Sequence, residues 1–221
     1  MSKARNAYYL LLGSVLFVTF YTLFKVTPLN LVLLNSATLL SFFQRLFGLF
    51  AFILLFFQIL LGSNMFEKAK KFGAWVHKVH VTQGIFAYFF IFFHPFIYLV
   101  ALIQASKTFN PFYVYSDFCL LCKTRVELYY TLGRVAFWLF TAIFVAAYFR
   151  TKPFFRKYWN LLHRLNYVLF FAVSLHALMV GSDVRSWPFF AFFIVANLVV
   201  LGISLKNTFY WAKENIVYRL R

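Results

Sequence analysis

Six apolar stretches dominate this chain of 221 residues, at roughly 7–24, 38–62, 78–104, 129–149, 159–181 and 187–206. Each is close to or above the ~20 residues that a helix needs to cross a hydrocarbon core. A backbone in lipid must satisfy its own hydrogen bonds, so each stretch is predicted to be a helix and not a strand. The fold class expected is all-α: a polytopic six-transmembrane-helix bundle, one membrane domain over residues 1–221, with a short tail at 207–221. Composition agrees. Hydrophobic residues make up 63% of the chain and charged ones 12%, against about a quarter charged in soluble domains.

The formal charge of +17 does not point to nucleic acid, because Lys and Arg sit in short runs between apolar stretches. There they meet anionic head groups and orient the bundle; no segment is long enough to build a folded basic face. With the N-terminus inside, fifteen Lys and Arg fall in cytoplasmic segments. Five fall outside: Lys25, Lys107, Lys123, Arg125 and Arg185. Both termini are therefore expected in the cytoplasm, the protein in the plasma or inner membrane, and the third and fifth helices running from inside to outside. The first apolar run, Ala7 to Phe24, lacks a small-residue cleavage site and reads as a retained helix.

Ionisable residues inside membranes are costly, so each marks a candidate function. Two of the five histidines, His94 and His176, lie well inside the third and fifth stretches. His80 and His163 lie near the cytoplasmic starts of the same two stretches, and His77 sits in a Lys-rich entry segment and reads as a solvated residue. Imidazole is a common axial ligand of haem iron. His80 and His94 are separated by fourteen residues, roughly 21 Å of helix, and His163 and His176 by thirteen, roughly 19.5 Å. The agreement fits two haems stacked across one membrane, His80 with His163 inside and His94 with His176 outside. The alternative is isolated polar residues bonding between helices. In angle, His94 returns to within roughly 40° of His80, whereas His176 falls roughly 140° from His163 on a straight helix. The fifth helix must therefore be bent, overwound or wrapped between them.

The third stretch reads His80-Val-Thr-Gln-Gly84 followed by His94-Pro95. The fifth reads Trp159-Asn-Leu-Leu-His163-Arg164-Leu-Asn-Tyr167, then His176-Ala177. From about Leu40 to Lys206 this resembles the ferric reductase-like transmembrane domain shared by ferric-chelate reductases and NADPH oxidases. The resemblance implies that His80, His94, His163 and His176 are axial ligands of two b-type haems. Members of that family continue into flavin and nicotinamide domains. Here only about fifteen residues follow the sixth stretch, without a GxGxxG motif, so FAD or NAD(P)H is expected only through a separate partner or a missing domain.

Other residues support the site or have simpler uses. Gly84, one turn after His80, can let a porphyrin approach or can serve ordinary helix packing. Pro95 predicts a local bend. Arg45 and Arg134 are cations in the outer third of the second and fourth stretches. Either can pair with a haem propionate, Arg45 can face an acceptor at the open edge of the outer haem, and both can snorkel to head groups. Phe170 and Phe171 lie midway between the histidines of the fifth helix. Cys119-Leu-Leu-Cys122 on an external loop lacks the histidine of a c-type haem site and reads as a loop staple. No Asp or Glu falls inside an apolar stretch, which disfavours a proton-coupled transporter.

The function expected is an oxidoreductase component, a di-haem membrane cytochrome b. It takes electrons from a cytoplasmic flavin or flavoprotein reductase and delivers them to an external acceptor: ferric chelate, oxygen or a redox partner. The rivals are a quinone-fed haem subunit of an external repair reductase, similar to the membrane partner of methionine sulfoxide reductase, a haem or metal transporter, and a colourless membrane scaffold.

Overall fold

The computed structural model describes residues 3–106 and 110–219; Lys107 and Arg221, counted in the charge bias, lie outside the described residues. In chain order the helices are α1 (Lys3–Val26), α2 (Leu29–Val32), α3 (Ser36–Gly62), α4 (Met65–Phe72), α5 (Trp75–Ser106) and α6 (Tyr113–Ser116). There follow α7 (Arg125–Tyr148), α8 (Pro153–Arg164), α9 (Asn166–Val180), a 3-10 turn at Asp183–Arg185 and α10 (Phe189–Arg219). No strand occurs among the described residues.

Local chemistry sets the helix ends. Asn35 precedes α3 in extended backbone, and its side chain accepts the Thr38 N–H. Thr124 accepts the Glu127 N–H, one of the orphan donors of α7, while the Glu127 carboxylate reaches back to the N–H of Lys123, the residue before the cap. Gly73, at φ 106°, turns the chain between α4 and α5 in a conformation that side chains resist. Lys68 of α4 donates to the Leu60 carbonyl in the last turn of α3 and to Ser63, a cation placed where a helix end favours one. Burial lowers the Lys68 amine below its usual range, and Lys206 adds to the effect.

Five helices, α1, α3, α5, α7 and α10, are each long and apolar enough to cross a membrane. A sixth crossing exists if α8 and α9 form one span; they meet at a 45° bend. The bend falls at Leu165, between His163 and His176, where the angular argument requires a distortion. The fifth helix expected at 159–181 is therefore two helices and begins earlier, at Pro153. α5 continues as helix through Pro95. The tail expected at 207–221 is not a separate segment, since α10 runs on to Arg219.

α3 is the central element. It packs along α5 over most of its length and also touches α1, α9 and α10. Its Phe52, Ile53, Leu55 and Phe57 are fully buried, and Phe52 packs against Phe170 and Phe193 with ring centres 5.3 Å apart in each case. The remaining spans bury one face and leave large apolar residues such as Phe17, Phe86, Trp138 and Leu198 exposed. An apolar exterior on long helices is the surface of a multi-pass membrane protein.

Candidate functional site

Two cavities lie between the α3–α5 pair on one side and the α7–α9 pair on the other. The first, about 360 Å³, is lined by His94 of α5 and His176 of α9. The second, about 400 Å³, is lined by His80 of α5 and His163 of α8. The structure thus brings the four histidines together in twos, one from α5 and one from α8 or α9 at each cavity. Both volumes fall within the ~300–1,000 Å³ of small-molecule and cofactor clefts. Phe140 of α7 lines both cavities and stands between them.

In the upper cavity each ring is anchored by a backbone carbonyl. His94 Nδ1 donates to Gln44 O at 2.7 Å, and His176 Nδ1 donates to Tyr129 O at 2.8 Å. A carbonyl can only accept, so both rings carry the proton on Nδ1 and keep an Nε2 lone pair. In the lower cavity the His80 and His163 ring centres are 6.1 Å apart at 68°. His163 is held against the Trp159 indole, ring centres 4.4 Å apart. Asn166, the first residue after the bend, donates to His163 O at 2.8 Å and lies 3.3 Å from His163 Nδ1. His80 Nδ1 is buried without a partner. With the Leu165 bend, His163 and His176 enter two cavities in the same interface between the helix pairs, although they lie roughly 140° apart on a straight helix.

Arginines ring the cavities. Arg134 lines the upper one, buried, with Nη2 3.5 Å from Asp117 and the guanidinium over the Tyr113 ring. Arg45 lines it too. It donates to Asp183 Oδ1 at 2.8 Å and to Thr27, and its Nε is buried without a partner. Burial raises the Asp183 carboxyl above the usual carboxylate range, and the Arg45 guanidinium pulls it back. Arg150 and Arg164 line the lower cavity, where exposed His77 also reaches the mouth; His77 is solvated but not remote from the site.

The chain matches no protein-family model, no curated protein and no solved structure.

Several residues were assigned differently by the sequence. Gly84 lines the lower cavity, and its nearest neighbour is the Gln58 amide, an ordinary packing contact between α5 and α3. Phe170 and Phe171 line neither cavity; Phe170 belongs to the core against Phe52, and Phe140 takes the intervening place. Asp183 reads as a loop acid, yet it is buried on Arg45. Cys119 and Cys122 form a disulfide, as a loop staple requires. Phe140 carries no signal among 34 phenylalanines. The cue for Asp183 is the intramembrane Arg45, which must find an anion.

Proposed function

We propose that this protein is a di-haem membrane cytochrome b of the ferric reductase and NADPH oxidase type. It has six spans, with α8 and α9 forming the fifth, and both termini are cytoplasmic. Electrons enter at the His80–His163 level from a reduced flavin or flavoprotein and leave from the His94–His176 level to an external acceptor. The observation that carries the reading is the pair of cavities, each lined by two imidazoles from different segments of the chain.

The donor set suits a porphyrin. Two metal–nitrogen bonds of roughly 2 Å plus two half-rings separate imidazole centres by about 6 Å, close to the 6.1 Å of His80 and His163. That spacing also suits an edge-to-face ring pair, so the cavity beside the rings matters as much as the distance. No group of three or more His, Cys, Asp or Glu fit for a metal occurs among the described residues. A bare ion would thus lack the three or four convergent protein ligands of zinc sites, whereas haem brings four nitrogens of its own.

When bound, haem supplies one-electron chemistry. The chain's own residues orient and insulate. The Gln44 and Tyr129 carbonyls hold His94 and His176 in the tautomer whose Nε2 can ligate. Arg45 and Arg134 above, and Arg150 and Arg164 below, offer cations for the carboxylates of such a cofactor. Phe140 keeps water out of the gap between the two levels.

The test is a reduced-minus-oxidised spectrum with haem counting on the full chain, purified after expression with ample haem. Two low-spin bis-imidazole haems per chain are expected, reducible through a flavin reductase. A colourless protein rejects the reading. Reduction by menaquinol but not by a flavin reductase moves the chain to the quinone-fed alternative.

A further inference from the structure

Three glycines lie directly under three of the four histidines. A Cβ built on Gly48 of α3 falls 2.8 Å from His94 Cε1. One built on Gly62 of α3 falls 3.0 Å from His80 Cε1, and one on Gly133 of α7 falls 2.7 Å from His176 Cε1. Real side chains do not approach as closely as the contacts at Gly48 and Gly133, so any other residue there would push the ring away; at Gly62 the contact is tight and the ring would have to give by a few tenths of an ångström. The spacing repeats across the α3–α5 pair. Gly48 and Gly62 are fourteen residues apart on α3, the separation of His80 and His94 on α5.

Two of these glycines also open a backbone acceptor. Gln44 lies four residues before Gly48, and Tyr129 four before Gly133. In a helix the carbonyl of residue i takes the N–H of residue i+4 with one lone pair and keeps a second. The missing side chain at i+4 gives an imidazole from the neighbouring helix access to that second lone pair. His94 and His176 both use it, at 2.7 and 2.8 Å. Gln58 holds the equivalent place before Gly62, but its side chain donates to His80 O at 2.8 Å, and His80 Nδ1 finds no acceptor.

We propose that Gly48, Gly62 and Gly133 are positioning residues for the histidines, and that Gly48 and Gly133 let His94 and His176 donate Nδ1–H to a backbone carbonyl one turn earlier in the facing helix. The inference rests on the di-haem reading for its redox consequence, while the hydrogen-bonding device stands apart from it. An imidazole that donates Nδ1–H is a more basic ligand and favours oxidised iron. The bond therefore lowers the potential of the His94–His176 level relative to the same site without it.

The experiment uses the full chain carrying Gly48→Ala, Gly133→Ala, Gly62→Ala or Gly13→Ala, the last a control with open space around it. Haem content and midpoint potentials are measured for each. Gly48→Ala and Gly133→Ala are expected to hold the outer haem roughly 10–100-fold more weakly, with an upward-shifted midpoint in the fraction that remains and the inner haem unchanged. Gly62→Ala weakens the inner haem instead, and Gly13→Ala keeps both. Glycines that serve only helix packing would lose both haems together, and that result overturns the proposal. So does retention of both at wild-type midpoints. Nitrogen NMR of ring-labelled histidine in the haem-free wild-type chain gives a second measurement that needs no variant to fold. His94 and His176 must carry the proton on Nδ1; protonation on Nε2 overturns the inference. A wild-type chain that takes up no haem removes the di-haem reading and the predicted potentials, and the NMR result still decides the hydrogen-bonding device.

Discussion

His94 Nδ1 lies 2.7 Å from the backbone oxygen of Gln44, so a side chain of α5 is anchored to the main chain of α3. His176 makes the matching bond from α9 to Tyr129 of α7. Each of these imidazoles is thereby tied to the helix its own helix packs on, and the two anchored rings line one cavity. Replacing either ring by a methyl group removes both ligand and anchor. His94→Ala and His176→Ala are each expected to lose the outer haem and keep the inner one, while His80→Ala and His163→Ala do the reverse. Haem counting with the reduced-minus-oxidised spectrum reads this directly, and variants that retain two haems would contradict the pairing.

Asn166 holds His163 from just beyond the Leu165 bend. Asn166→Ala frees the ring from its contact and the His163 carbonyl from a donor. Asn166 Nδ2 is a donor, so it steadies the His163 ring and the chain at the bend instead of taking a ring proton, and its loss should speed dissociation of the inner haem. The outer haem should not change. Transfer of haem to an excess of apomyoglobin measures both rates.

Buried Asp183 pairs with partly buried Arg45 across 138 residues of chain. Removing one partner leaves an uncompensated charge, at a cost of about 3–5 kcal/mol. Arg45→Met and Asp183→Leu should each lower the unfolding temperature in detergent strongly. The double variant should lose clearly less than the sum of the two. Additive losses in this double-mutant cycle would mean that the pair contributes no coupling.

The Cys119–Cys122 disulfide closes a loop with only two residues between the cysteines. By the chain-entropy estimate its removal costs about 2 kcal/mol. Cys119→Ser with Cys122→Ser should therefore shift the unfolding temperature modestly and leave haem content unchanged. The same cysteines test the orientation. After mild reduction of intact cells, a membrane-impermeant maleimide should label them in the wild-type chain. Labelling only after lysis would invert the topology.

Sequence alone is legible where one residue type carries its own cost. Apolar stretches near the length of a bilayer crossing must be helices, because unpaired backbone groups are not tolerated in lipid. A histidine inside such a stretch is expensive enough to stand out, so His80, His94, His163 and His176 were visible as two pairs. Their unequal angles even demanded a distortion between His163 and His176, and the bend is at Leu165. Where the bend would fall was not visible, since Leu165 differs in no local propensity from the leucines around it.

What the amino-acid order determined, then, was the set of apolar helices, the rarity and depth of the histidines, and the need for a bend. The tertiary structure alone decided which groups surround those histidines: Gly48, Gly62 and Gly133 beneath the rings, Phe140 between the cavities, Asp183 on Arg45. Glycine and phenylalanine cost little wherever they stand in a membrane helix, so their meaning comes from what faces them across a helix pair. That is set by the rotation and depth at which two helices pack, and no single helix carries the information.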